Sequence, residues 1–218
     1  MSDKFKAIVI DNQNEKFTRD IKEIEKNQLK DGNVLVKVDY SSLNYKDALI
    51  LNDGGKIVRK FPFVPGIDFA GTVVESEESK FAKDDKVILT GFRVGEAFFG
   101  GFSQYAKVDS NFLIKIPKDL DTHKAMMLGT AGFTALLCSF AVKAKEELLL
   151  GEKVKDVLVT GATGGVGSIA DIGCGNTGFS GRDGTNRTAA GHISPHNKSL
   201  DTDSGTLAQQ TYTGSALT

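Results

Sequence analysis

The composition of the chain changes sharply near Ala170, and this change limits how much of the chain can fold into a compact domain. Before Ala170, apolar residues come in runs separated by turn signals. After it, residues 171–218 are rich in Gly, Thr, Ser, Asn and Asp, and large apolar residues stand apart from one another. Such a segment buries too little apolar surface to offset its chain entropy. We therefore predict a disordered tail over residues 171–218.

The residues before Asp121 show the pattern of many short strands. β-Branched and aromatic residues dominate the apolar runs, and Asp31-Gly32, Asp53-Gly54 and Pro65-Gly66 mark turns between them. Evenly spaced short strands of this kind are typical of a barrel. Residues 22–30 mix charges and are expected on a solvated surface. The predicted strands cover residues 5–10, 34–43, 69–76, 86–92, 102–108 and 112–117.

Two helices and the beginning of a second domain are predicted next. Asp121 is a candidate N-cap for a helix that ends near Leu128, and Thr130 opens a run to Glu147 with apolar residues at helical spacing. The apolar residues 157–159 then come directly before a glycine-rich loop. This order of strand, loop and helix is that of the first βα unit of a nucleotide-binding domain.

The glycine-rich loop is a candidate phosphate site. Gly164, Gly165 and Gly167 would let the backbone approach a pyrophosphate, and the positive end of the following helix would favour the anion. The spacing departs from the strict G-x-G-x-x-G, so the loop alone leaves a plain glycine-rich turn as an alternative. Arg182 lies where a residue that reads the ribose could follow. Because the gap after Gly167 is short for both a helix and a strand, we expect Arg182 to be a tail residue.

Five motifs resemble the zinc-free medium-chain dehydrogenase/reductase family, in its quinone oxidoreductase-like, NADPH-dependent acrylyl-CoA reductase branch. They are SSLNYKDAL, VPGIDFAGTV, ILTGFRVGEAFFGGFSQYA, KAMMLGTAGFTALLC and VTGATGGVGS. The resemblance covers about residues 4–170. It implies an α+β fold with a GroES-like β-barrel domain at residues 1–128 and the start of an α/β Rossmann NADP-binding domain at residues 129–170. Residues 171–218 have no counterpart in it, so the second domain is expected to be truncated.

The resemblance also implies an activity, which is NADPH-dependent reduction of the C=C bond of acrylyl-CoA to give propionyl-CoA. In related enoyl reductases the tyrosine of the Asn-Tyr-x-Asp turn lies beside the nicotinamide, which makes Tyr45 a possible proton donor. A phenol is protonated at neutral pH, as such a donor requires. The alternative is that Tyr45 packs under the barrel while Asn44 and Asp47 cap a helix. The candidate cofactor-binding residues are Asn44, Tyr45, Thr163, Gly164, Gly165, Val166 and Gly167.

Zinc is not expected. Zinc alcohol dehydrogenases of this fold carry Cys, His and Glu ligands, but this chain has Asn44-Tyr45 and Gly66-Ile67-Asp68 at the matching turns. Without a metal to polarise a carbonyl, an enoyl thioester is the better hydride acceptor. Asp68 is interpreted as an acceptor for turn amides. Arg93 is a weaker candidate for the phosphates of coenzyme A, with an unpaired surface arginine as its alternative.

Charge and apolar patterning restrict the partners. Lys plus Arg number 27 against 28 Asp plus Glu, so no net field attracts nucleic acid. The N-terminus lacks a signal-peptide pattern and no membrane-spanning run is predicted, so we expect a cytoplasmic protein. The expected partner is an acyl-CoA thioester. The resemblance implies a homodimer, although relatives pair through a sheet edge that this chain lacks. Two alternative functions stay open, which are an NADPH:quinone reductase and a catalytically inactive fragment.

Overall fold

The structure is a computed structural model of the chain, and it describes residues 4–13, 16–53, 56–145, 156–176, 180–183 and 211–213. These residues fall into two compact units, Met1–Thr130 with Gln209–Thr218 and Ala131–Ala208. The described helices are α1 (Tyr45–Asp53), α2 (Thr122–Lys145) and α3 (Gly165–Asn176). The described strands are β1 (Lys4–Gln13), β2 (Lys16–Glu25), β3 (Val34–Ser42), β4 (Asp68–Ser76), β5 (Lys86–Thr90), β6 (Tyr105–Val108), β7 (Ile114–Lys115), β8 (Asp156–Val159), β9 (Ser180–Asp183) and β10 (Thr211–Thr213).

The first unit is built on antiparallel strands. β3 is the central strand, because it pairs with β4, β6 and β10, and β5 continues the sheet from β4 to β7. Val34, Val36 and Val38 alternate along β3 and are all buried, as the two-residue period of a strand requires. They pack with Phe69 of β4 and Leu89 of β5 in the largest apolar cluster. The six strands predicted from the apolar runs are confirmed.

Two described strands of this unit, β2 and β10, are missing from the sequence prediction, and β2 is the longer of them. β2 pairs antiparallel with β1 along its whole length, from Lys4 opposite Glu25 to Gln13 opposite Lys16. Most of β2 is exposed, and its sequence KFTRDIKEIE carries a charge at most positions. A charged edge strand protects a sheet from pairing with other chains, but it gives no apolar run to detect. Part of the segment expected to be a charged surface is therefore a surface strand.

α2 contains both predicted helices, and they meet at Gly129. Asp121 caps the first segment, because its Oδ1 accepts the Lys124 amide at 2.7 Å. Gly129 has φ 47° and ψ −156°, which lie outside the helical region, and helical residues resume after it. By length and composition α2 could cross a membrane, a test that core helices of soluble proteins also pass. The predicted break between the two helices is confirmed.

The second unit holds a parallel βα arrangement. β8 pairs with β9 in parallel, with Leu158 opposite Arg182, and α3 lies between them in the chain. The prediction of a disordered tail over residues 171–218 is therefore wrong for the described residues 171–176, 180–183 and 211–213, which lie in α3, β9 and β10. β9 is held by backbone pairing with β8, although its sequence has no apolar run. Three residues separate the end of α3 from the start of β9. Residues 177–179, 184–210 and 214–218 of the predicted tail lie outside the described residues, and the predicted domain limits stay predictions.

Candidate active site

The turn between β3 and α1 holds the first group of candidate residues. Asn44 precedes the helix, and its carbonyl accepts the Ala48 amide at 3.1 Å. Asp47, in the first turn of α1, accepts the Asn44 amide with Oδ2 at 2.8 Å, as the acidic member of a capping box does. Its Oδ1 accepts the Ile67 amide at 3.0 Å. Asp47 therefore joins the start of α1 to the chain that enters β4.

Asp47 is a buried acid with a perturbed pKa. Burial, which penalises the charged carboxylate, is the largest cause, and the nearby charge of Asp68 acts in the same direction. The hydrogen bonds from Asn44 and Ile67 act in the opposite direction but do not cancel these effects. The result is a pKa raised to about 6. Sequence reasoning identifies Asp47 only as a possible helix cap, because its burial depends on contacts with residues around Ile67.

Asp68 is a fully buried carboxylate that accepts hydrogen bonds from three parts of the chain. Its Oδ2 accepts from Ser42 Oγ at 2.8 Å, Asn44 Nδ2 at 3.0 Å and the Thr130 amide at 2.8 Å. Its Oδ1 accepts from Thr130 Oγ1 at 2.5 Å. The prediction that Asp68 is a structural acceptor is confirmed. The predicted donors are wrong, because side chains and the amide of Thr130 take the place of turn amides.

The side chains of Asn44 and Tyr45 differ in how firmly they are held. Asn44 Nδ2 donates both to Ser42 Oγ, at 3.1 Å, and to Asp68, which fixes the orientation of the amide. Among the described residues, no hydrogen bond to Asn44 Oδ1 or to the Tyr45 hydroxyl is found. Tyr45 is 80% exposed, so it does not pack under the barrel. The half-buried Asn44 amide oxygen and the exposed Tyr45 phenol, on adjacent residues, therefore have no hydrogen-bond partner among the described residues.

A strained loop lies beside this turn. Phe92 and Arg93 have φ values of 52° and 61°, which are rare for residues other than glycine. Glu96 binds Arg93 Nε at 3.2 Å and Lys46 Nζ at 2.9 Å. Partial burial acts to raise the pKa of Glu96, but the hydrogen bonds and charges of Lys46 and Arg93 together hold it below its ordinary value. Arg93 is thus paired, and its contact with coenzyme A stays a prediction.

The glycine loop belongs to the second unit, whereas Asn44 and Tyr45 belong to the first. Gly161 has φ 65°, and its carbonyl accepts the Gly164 amide at 2.9 Å. A Cβ added at Gly167 would lie 2.1 Å from the Gly161 carbonyl oxygen, so this position accepts only glycine without a shift. α3 begins at Gly165, directly after the turn. First-turn amides of a helix have no partner within it, so the loop has the form of an anion cradle.

Three further findings concern Arg182, metal ligands and the described cysteine. Because β9 covers residues 180–183, Arg182 is a strand residue and the expectation of a tail arginine is wrong. The residues after Gly167 hold both the rest of α3 and the strand β9, contrary to the argument that this gap is too short. Within the described ranges, no group of three or more His, Cys, Asp and Glu side chains is placed to hold a metal ion. Cys138 is a free, exposed thiol.

Comparison with known proteins agrees with this architecture. Residues 30–118 match the alcohol dehydrogenase GroES-like domain. The chain is 51% identical over 168 residues to acrylyl-CoA reductase AcuI of Ruegeria pomeroyi, which covers 76% of the chain and 50% of that protein. It is 44% identical over 170 residues to a putative quinone oxidoreductase, YhfP of Bacillus subtilis, covering 78% of the chain and 51% of the relative.

A solved structure extends this agreement to the fold. The yhdH oxidoreductase from Salmonella enterica, determined in complex with NADP, aligns with a TM-score of 0.76 and 42% identity. The alignment covers 82% of the chain and 54% of the Salmonella protein. The chain therefore spans about half the length of the relatives it matches. The predicted fold class is confirmed: residues 30–118 match the alcohol dehydrogenase GroES-like domain, and the chain is similar to oxidoreductases of the medium-chain dehydrogenase/reductase family over about half of their length.

Proposed function

We propose that this protein is an NADPH-dependent, zinc-independent oxidoreductase that reduces the C=C bond of acrylyl-CoA to give propionyl-CoA. The 51% identity to the acrylyl-CoA reductase of Ruegeria pomeroyi is the observation that carries this proposal. The site geometry supports it, because Ser42 and Asp68 hold the Asn44 amide in place and the adjacent Tyr45 phenol is exposed. The substrate would be a small acyl-CoA thioester, and the place of action the cytoplasm. The barrel domain would cover residues 1–128, and the nucleotide-binding domain would begin at residue 129.

The glycine loop fits the pyrophosphate of a dinucleotide. Gly167 lacks the Cβ that would lie 2.1 Å from the Gly161 carbonyl oxygen, so the loop can pack closely against the start of α3. Gly164 and Gly165 stand at the start of α3, whose positive end favours an anion. Thr163, an exposed residue, and Val166 at the first turn of α3 complete this candidate set. These residues would bind the phosphates and orient the cofactor, without taking part in proton transfer.

The turn before α1 would serve the reacting end of the cofactor. When bound, NADPH supplies a hydride, which the β-carbon of the enoyl thioester accepts. The Tyr45 hydroxyl would donate a proton to the α-carbon, so that the added hydride and proton together saturate the double bond. Asn44 would accept a hydrogen bond from the nicotinamide end. Arg93 and Lys46, joined through Glu96, lie beside this turn and offer a surface for the charged end of coenzyme A.

The test is oxidation of NADPH by the purified chain, followed by the loss of its absorbance, with acrylyl-CoA as acceptor. Tyr45→Phe should lower kcat by about 100-fold, the lower range for loss of a general acid. Tyr105→Phe is the matched control, because it removes a phenol hydroxyl from a ring that packs on Phe5 instead. No oxidation with acrylyl-CoA by the unmodified chain would overturn the proposal.

A quinone is the second acceptor to test, because the chain is also similar to a putative quinone oxidoreductase. Oxidation of NADPH by a quinone, without oxidation by acrylyl-CoA, would assign the protein to quinone reduction. If neither acceptor oxidises NADPH, the inactive-fragment alternative is correct.

A further inference from the structure

Both carboxylate oxygens of the buried Asp68 accept hydrogen bonds, from three separate parts of the chain. Its two oxygens accept from Ser42 at the end of β3, from Asn44 in the following turn and from Thr130 in α2. Asn44 and Thr130 lie 24 and 62 residues away from Asp68 in the chain. A buried carboxylate is costly unless such donors surround it, so the network is expected to act as a unit.

The network fixes which atom Asn44 presents. Both hydrogens of its Nδ2 are used, because Ser42 Oγ and Asp68 Oδ2 accept them. Ser42 Oγ can accept one of them because its own proton goes to Asp68. If the amide were flipped, Oδ1 would face the Asp68 carboxylate, an acceptor against an acceptor. The orientation is therefore set by the charge of Asp68, and Oδ1 is the amide atom that has no partner among the described residues.

Thr130 fixes the other end of the network. Its amide and its hydroxyl both bind Asp68, directly after Gly129 takes the chain out of helical geometry. A Cβ at Gly129 would lie 3.0 Å from Asp68 Oδ2 and 3.2 Å from Ser42 Oγ, so the backbone of α2 closes directly over the carboxylate. The kink and the turn before α1 are thus held by the same carboxylate: Oδ2 binds Ser42, Asn44 and the Thr130 amide, and Oδ1 binds the Thr130 hydroxyl.

We propose that Asp68 is a positioning residue that holds the Asn44 amide with its oxygen available to accept a hydrogen bond from a ligand, and that Thr130 keeps Asp68 in place to do so. The ligand group would be an N–H donor, such as the primary carboxamide of a nicotinamide. The identity of that ligand rests on the proposed function, whereas the orientation of Asn44 does not. Asp68 would touch neither the cofactor nor the substrate.

The test follows the side-chain amide of Asn44 by NMR in the ¹⁵N-labelled full chain, with the resonance pair assigned through Asn44→Ser. Ser42→Ala and Thr130→Val each remove one hydroxyl donor to Asp68 and keep the carboxylate. In both variants the Asn44 amide protons should shift and should exchange with water about tenfold faster, the loss expected for one hydrogen bond of ordinary strength. Ser103→Ala is the matched control, since Ser103 is also buried and donates one bond, to the Tyr105 carbonyl at 2.8 Å.

The NMR and stability measurements together distinguish a role of Asp68 in positioning Asn44 from a role in stabilising the fold alone. If Ser42→Ala and Thr130→Val lower stability as the control does but leave the Asn44 resonances and their exchange unchanged, the proposal is wrong. A second readout is NADPH affinity by calorimetry, which Thr130→Val should weaken severalfold while Ser103→Ala leaves it unchanged. Absence of NADPH binding by the unmodified chain would count against the proposed function, and the NMR result would still decide the role of Asp68.

Discussion

Asp47 gives a quantitative prediction for the pH dependence of stability. Its pKa is raised from the ordinary value of 3.8 to about 6 in the folded protein. The folded state therefore binds more protons than the unfolded state between these values, and stability falls as the pH rises through this window. A difference of about 2 pKa units corresponds to about 3 kcal/mol at 1.36 kcal/mol per unit. This part of the stability is present below about pH 4 and is lost above about pH 6.

The Asp47→Asn variant removes the titration and tests this reasoning. Urea unfolding of the unmodified chain and of Asp47→Asn should be measured from about pH 4 to about pH 8, and the difference between the two free energies plotted against pH. The difference should move by about 3 kcal/mol in favour of the Asp47→Asn variant as the pH rises, most of it between about pH 4 and about pH 6. Asp85→Asn is the control with the opposite sign, because the hydrogen bond from Lys115 holds the pKa of Asp85 below its ordinary value. Parallel curves for the unmodified chain and Asp47→Asn would refute the buried-acid account.

Two further predictions concern glycines. Gly167→Ala should weaken NADPH binding by at least about tenfold, because its Cβ would meet the Gly161 carbonyl at 2.1 Å, whereas Ser168→Ala, at the next position of α3, adds no atom and should bind nearly as the unmodified chain does. Equal affinities in calorimetry would contradict this steric argument. Gly129→Ala should lower the free energy of unfolding by about 1–3 kcal/mol, since φ 47° and ψ −156° are accessible to glycine and strained for alanine. An unchanged urea midpoint would show that the kink can move away from Asp68 without cost.

The barrel strands could be predicted from the sequence because they bury one face. Val34, Val36 and Val38 repeat every two residues, as such a strand needs, and this repeat can be read from the sequence without knowing how the side chains pack. β2 and β9 lack it. β2 exposes most of its charged side chains, and β9 has the sequence SGRD, so both strands are held by backbone pairing that an apolar pattern does not record.

The candidate site was predictable only in part, for a different reason. Asn44 and Tyr45 could be singled out through the resemblance of one short motif. The contacts that organise them could not, because Asp47 reaches Ile67 and Asp68 reaches Thr130, across 20 and 62 residues. No local pattern encodes such pairings. Two buried acids that are close in space but far apart in the chain, as Asp47 and Asp68 are, become visible only when the fold brings β4 beside the start of α1.

The measurement that tests the proposed cofactor site most directly is calorimetric titration of the purified chain with NADPH. We expect saturable binding with a Kd in the micromolar range, about −8 kcal/mol of binding free energy, that is weakened by Gly167→Ala and kept by Ser168→Ala. Such a result would mean that the loop at residues 161–167 forms a working phosphate cradle in this chain. Absence of heat and of saturation at millimolar NADPH would contradict this expectation and would leave a folded barrel domain without a cofactor site.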